Sequence, residues 1–291
     1  EGSAIAQFLS HQEPVAPDLS SYMIPGATVI GVMAYRDLQS WAEAMKRGFA
    51  AAMPPGNEAS LSPFNELMDR WGRIDSLDYA FAMNISLDSP MLMEAIMRSE
   101  DPDTLIDLTR QSYGADMNAL WSGMMAGGDL RMEPGPEREV QGQNVWQHLM
   151  HINVPDMPEE QAELLQTMYG GGTLPVEIMR LDQDVLVALG LPIDALAERV
   201  ATGTQGEPTT AERVFEPGGL IYVDINLVQY VETVLAAELG RDLTGHYSAP
   251  PLVLSGHAGN DAAWFQMGLA RNTIAGIVRM IEIERNGAVH D

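Results

Sequence analysis

Residues 25–43 read PGATVIGVMAYRDLQSWAE, and residues 217–232 read PGGLIYVDINLVQYVE. Both open on Pro-Gly, a turn signal, and run into a Val/Ile/Tyr-rich stretch that suits a pleated, half-buried strand. Each then breaks at a small polar residue, Asp37 or Asn226, of the kind that caps a helix N-terminus. Beyond the break the spacing repeats: Leu38, Trp41 and Glu43 in the first, Leu227, Tyr230 and Glu232 in the second. The reading is one strand-to-helix unit used near both ends of the chain.

A second matched pair lies further along in the same order. Residues 81–98 (FAMNISLDSPMLMEAIMR) and 265–280 (FQMGLARNTIAGIVRM) each begin with Phe and Met two apart. That spacing puts both on one face of a strand. A helix is expected after each, starting near Asp88–Ser89–Pro90 and Asn272–Thr273. Residues 251–255 and 263–269 flank GHAGND, whose Gly and Asn residues supply positive φ, so an antiparallel hairpin is predicted. Between the two end modules, 101–110, 116–125, 144–151, 156–169, 184–189 and 192–200 read as helices, and 132–143 as a polar loop. The expected organisation is a polar lead-in (1–24), a first α+β module (25–98), a mainly helical insert (99–212) and a second α+β module (213–291). The expected fold class is α+β: a mainly antiparallel sheet from two pseudo-repeated strand–helix modules, with a largely helical inserted region.

Residues 25–45 and 249–278 (APPLVLSGHAGNDAAWFQMGLARNTIAGIV) resemble the opening and closing segments of uncharacterised exported bacterial proteins, often lipoproteins, built from duplicated strand–helix units. The resemblance covers the outer parts of the chain and implies export, with no activity attached. The polar first 22 residues, with Pro14 and Pro17, fit the segment left after removal of an export signal or a lipidated cysteine. The expected location is therefore the periplasm or cell surface, with a membrane tether through an N-terminal lipid anchor preceding Glu1.

The 291 residues carry 41 acidic and 16 basic side chains, for a net charge of −25. Only Lys46 is a lysine. Residues 81–210 hold 21 acids and 6 bases, so the excess is densest in the middle. Such a polyanion is repelled by phosphate backbones, which argues against a nucleic-acid partner. No apolar run reaches the ~20 residues needed to span a bilayer as a helix. With no cysteine, disulfides, thiolate nucleophiles and Cys-ligated zinc are excluded.

No catalytic signature stands out. His148 and His151 (QHLMHIN) are three apart, a spacing that on a helix places both imidazoles on one face, with Asp156 downstream as an oxygen ligand. Zn or Cu is the metal class such a set would take, although HExxH is absent and no third ligand has a defined spacing; capping of a short helix end is the preferred account of the histidines. The 19 methionines would suit Cu(I) as thioether ligands, but core filling accounts for them. Asp101/Asp103 and Asp182/Asp184 read as residues at helix starts. Ser255 and His257 read as hairpin-loop chemistry, since no GxSxG elbow is present. Trp121 and Trp146, in the acidic middle, are the candidates for a binding surface. The functional expectation is an exported, non-enzymatic binding or assembly protein without a cofactor, its partner a protein or a second copy of itself. The alternative is a metal-binding protein or metal-dependent enzyme using His148 and His151.

Overall fold

The Asp37 carboxylate accepts from the Ser40 backbone N–H at 3.1 Å, and the Asn226 side chain accepts from that of Gln229 at 3.1 Å. Both expected caps therefore start helices, and both helices follow strands. The computed structural model describes residues 19–52, 61–84, 91–114, 117–118, 129–153, 172–206, 208–215, 219–239, 243, 245, 247–259 and 262–287. After a short 3-10 helix (Leu19–Tyr22) come β1 (Val29–Tyr35), α1 (Leu38–Ala52), α2 (Leu61–Trp71), β2 (Leu77–Asn84), β3 (Leu92–Arg98) and α3 (Pro102–Ser112). The middle holds β4 (Asp129–Pro134), β5 (Arg138–Val140), β6 (Gln143–Asn153), β7 (Thr173–Leu181), β8 (Asp184–Leu189), α4 (Asp194–Thr202) and α5 (Thr210–Val214). The chain closes with β9 (Ile221–Ile225), α6 (Leu227–Leu239), β10 (Leu252–Gly259), β11 (Ala262–Gly268) and α7 (Arg271–Gly287).

All eleven strands join one antiparallel sheet, in the order β11-β10-β9-β1-β2-β3-β8-β7-β6-β4, with β5 also on β6. The fold class is α+β, as expected. Counting outward from the adjacent β1 and β9, β2 and β3 follow on one side and β10 and β11 on the other. The matched segments 81–98 and 265–280 do not take equivalent places, since Phe81 lies in β2, next to β1, and Phe265 in β11, at the sheet's end.

Two expectations fail here. The run 91–98 forms strand β3, not a helix. The stretch 99–212 is not mainly helical either: its described residues include β4 to β8, and 144–151 and 184–189 are strands. The cause is burial on both faces. Every residue of β8 is buried, so the strand reads as a continuous apolar run with no alternation to mark its period. Val185, Val187 and Leu189 face one core while Leu186 and Ala188 face the other. The expected helices over 116–125 and 156–169 fall largely or wholly outside the described residues.

The first core lies under α1, α2 and α3 (Leu38, Phe64, Leu67, Leu105) against β3, β7 and β8. The second lies on the opposite face, under the 3-10 helix, α4 and α5 (Leu19, Leu196, Ala211). The amphipathic helices 61–71 and 102–112 thus supply one wall above the middle strands. A third, smaller cluster joins α6 to α7 through Leu235 and Met280. Replacing Asn226 by Ala removes the α6 cap and is expected to cost about 1 kcal/mol in a urea unfolding titration.

Candidate functional site

Strand β6 alternates about the sheet. Trp146, Met150 and Ile152 join the core under the helices, while Val145 joins the opposite one. His148 belongs to the helix side. There it lines a cleft of about 530 Å³ with Glu66, Leu67 and Arg70 of α2, Asp107 and Arg110 of α3, and Met117. The two helices reach this place because their apolar stripes pack on the sheet, which turns Glu66/Arg70 and Asp107/Arg110 toward one another along their outer flanks.

Arg110 is the centre of this arrangement. Its guanidinium carbon sits 4.4 Å from the centroid of Trp146, a cation–π contact. Asp107 lies 3.8 Å away on the same helix. Arg70 donates across the helix gap to the Gln111 side-chain oxygen. Burial, and then the nearby Arg110 charge, hold the His148 imidazole below its ordinary value. It is therefore neutral at pH 7, a ring offering one donor and one acceptor. Two buried nitrogens in this set, His148 Nδ1 and Arg110 Nε, have no hydrogen-bond partner.

No protein-family model, curated protein or solved structure matches this chain. The site is therefore read from its own residues.

The expected two-histidine metal set does not assemble. His148 and His151 lie on a strand, not a helix, and an odd separation along a strand points side chains to opposite faces. His151 turns away from the cleft and meets Thr173 Oγ1 at 3.0 Å and Glu133 at 3.5 Å. Asp156 lies outside the described residues, as does Trp121. Trp146, the other expected surface aromatic, is half-buried beneath Arg110 and adjoins the cleft rather than forming an open face. Met97, Met117 and Met150 fill the core beneath the helices.

The acid pairs meet arginines. Asp101 caps α3 through the Thr104 N–H at 3.0 Å. Asp103 pairs with Arg180, and Asp184 holds Arg98 through two bonds of 2.7 and 3.0 Å. Asp182 and Asp184 thus flank the β7–β8 turn and start no helix. A depression of about 850 Å³ at this end of the sheet also holds the Arg36–Asp78 pair at 2.9 Å. Each of its arginines already carries an acid, which leaves little attraction for a charged ligand.

Ser255 and His257 are strand residues of β10, not loop residues, and share a face. Ser255 Oγ lies 2.9 Å from His257 Nε2, and His257 stacks on Trp264. Ser255 is only 1 % exposed, so this hydroxyl–imidazole pair is sealed from substrate and serves packing. Arg70 and Arg110, which make the cleft, are not among the residues that the sequence reading marks. Their signal is present: Glu66/Arg70 and Asp107/Arg110 sit at i,i+4 and i,i+3 on two legible helices.

Proposed function

We propose that the chain is a non-enzymatic binding protein, and that the cleft between α2, α3 and β6 takes a small ligand carrying an anionic group. The observation that carries this reading is the pair of unpartnered buried nitrogens, His148 Nδ1 and Arg110 Nε, on residues that line one cleft. Leaving a buried polar group unsatisfied costs about 1–3 kcal/mol. Both atoms are sealed as the side chains stand, so a ligand oxygen reaches them once the Arg110 and His148 side chains turn toward the cleft; it then recovers part of that cost and gains a charge-assisted bond to guanidinium. In a chain of net charge −25, Arg70 and Arg110 offset Glu66 and Asp107 in the lining, so the cleft is close to neutral and the open nitrogens are what draw an anionic group. No hydroxyl or thiol lines the cleft among the described residues, which supports binding over covalent catalysis.

The test is calorimetric titration with inorganic phosphate and a set of small carboxylates, with Trp146 fluorescence followed in parallel. Binding of at least one class, weakened about tenfold or more by Arg110→Gln, is the expected result. No heat and no fluorescence change with either class overturns the reading. The pH dependence has a fixed sign. An anion raises the His148 pKa from its depressed value, so binding takes up a proton. Affinity is therefore expected to rise as the pH falls from 8 toward that value, and the His148→Gln variant is expected to lose the slope.

A further inference from the structure

Ten large hydrophobic residues are exposed among the described residues, and all ten lie between Val214 and Ile283. Nine lie on α6, α7 and β11 with the residue after it. Phe265 is 81 % exposed and Met267 71 %. Their strand register places them beside Leu254 and Gly256 of β10, and those beside Val223 and Ile221 of β9. None of the side chains on this face belongs to either sheet core. Across β1 and β2 the same face is covered, since Phe81 there packs into the core under α1 to α3.

The two ends of the sheet are built differently. At one end β4 carries Arg131, Glu133 and Pro134, the charges and proline that block a further strand from pairing. At the other end β11 reads AAWFQMG, with no charge and no proline. Among the described residues no strand pairs with its outer edge, which leaves a row of backbone donors and acceptors open there. Helix α6 (LVQYVETVLAAEL) is apolar on most of its circumference, with Tyr230 and Val234 exposed opposite the buried Val228 and Leu235. A helix apolar all round is ordinarily covered.

We infer that β11 and the apolar face beside it form the interface of a two-fold dimer, the occupant being β11 of a second copy. Three observations select that partner. First, an antiparallel pair of identical strands is closed by a two-fold axis, which buries the open edge of both copies at once. Second, Phe265 and Met267, on one side of β11, set on the order of 300 Å² of apolar surface beside that open edge. That is the size of the largest patch on a typical monomer, about 300–600 Å², and a second copy of the strand covers it with the same two side chains from its own side. Third, residues 213–291 carry 9 acids and 5 bases, so most of the −25 charge lies elsewhere and repels little across this contact. Facing strands put Phe265 and Met267 of both copies on one side of a continuous sheet and Trp264 and Gln266 on the other.

Sedimentation equilibrium at ~50 µM chain, above the ~1 µM Kd of the weaker standard-size interfaces, tests it. The expected particle mass is twice 31.7 kDa, halved by the joint substitution Phe265→Glu and Met267→Glu with the circular dichroism unchanged. A native particle of 31.7 kDa overturns the inference, as does a doubled mass that survives the joint substitution. Flotation of single-copy protein with phosphatidylcholine vesicles also overturns it and assigns the face to lipid. Should the joint variant fail to fold, Gln266→Cys replaces it, because the chain contains no other cysteine. Strands paired across a two-fold near this residue bring the two sulfurs within disulfide range. A covalent dimer under mild oxidation supports the interface, and its absence overturns it.

Discussion

Exchanging Arg199 for Met is expected to lower folding stability by about 3–5 kcal/mol, measured by guanidinium unfolding at pH 7. Glu94 stands on β3, in the middle of the sheet, and is 1 % exposed. It faces the second core rather than solvent. Its carboxylate pairs with Arg199 of α4 and accepts from the Ile24 backbone N–H at 3.1 Å. Arg199 also donates to the Tyr22 carbonyl at 2.7 Å. One guanidinium thus ties α4, β3 and the 3-10 helix together. Without it the carboxylate is left in an apolar layer with a single amide, and the desolvation of that charge is no longer offset. The pair itself is not the source of stability. The double variant Glu94→Leu with Arg199→Met is expected to recover most of the loss, short by about 1 kcal/mol for the Ile24 amide left unbonded. A double variant as unstable as the single one would show that packing of the arginine stem, not the orphaned charge, carries the effect.

The second large effect is expected at Gly190, which ends β8. Its φ is +77°, and a Cβ placed there would lie 2.5 Å from the Met91 carbonyl oxygen. The glycine N–H also donates to the Pro175 carbonyl at 2.8 Å, so the turn is held on both sides. Gly190→Ala combines the left-handed penalty of about 1–2 kcal/mol with an overpacking penalty of about 1–3 kcal/mol against backbone. Gly203 separates the two effects. It closes α4 at φ +64° with nothing within 4 Å of its Cβ position. Gly203→Ala is therefore expected to cost only the first. Equal losses at the two sites, in the same unfolding assay, would remove the clash from the account.

These positions also show where the sequence is readable. The strand–helix units at 25–43 and 217–232 can be read because each carries its own punctuation: Pro-Gly before, a capping Asp37 or Asn226 within. The hairpin of β10 and β11 can be read for the same reason. The middle is harder to read, because β7 and β8 are covered on both faces. In β6, Val145, Trp146, Leu149, Met150 and Ile152 satisfy a helical stripe as well as a strand. That ambiguity carries a functional error with it: a helix joins His148 to His151, a strand parts them. The overlooked signal lies in the turns. Gln141 and Gly142 both have positive φ and link β5 to β6 in two residues, and Asp182, at φ +54°, starts the equally short link from β7 to β8. Both are tight hairpin connections that rule out a helical insert. The cleft is half legible for a related reason. Its helices declare their exposed faces, while its histidine is placed by the strand.

The pairing of β1 with β9 also shapes how the chain must be made. Val29 sits opposite Ile225, so one side of β1 waits for a partner roughly 190 residues downstream, a highly non-local contact of the kind that slows folding. During synthesis at ~5–20 residues per second, that edge stays open for on the order of ten to forty seconds after β1 emerges. A nascent chain of this topology is therefore a natural client for a holding chaperone, and truncations that end before β9 are expected to aggregate rather than to accumulate as a folded half.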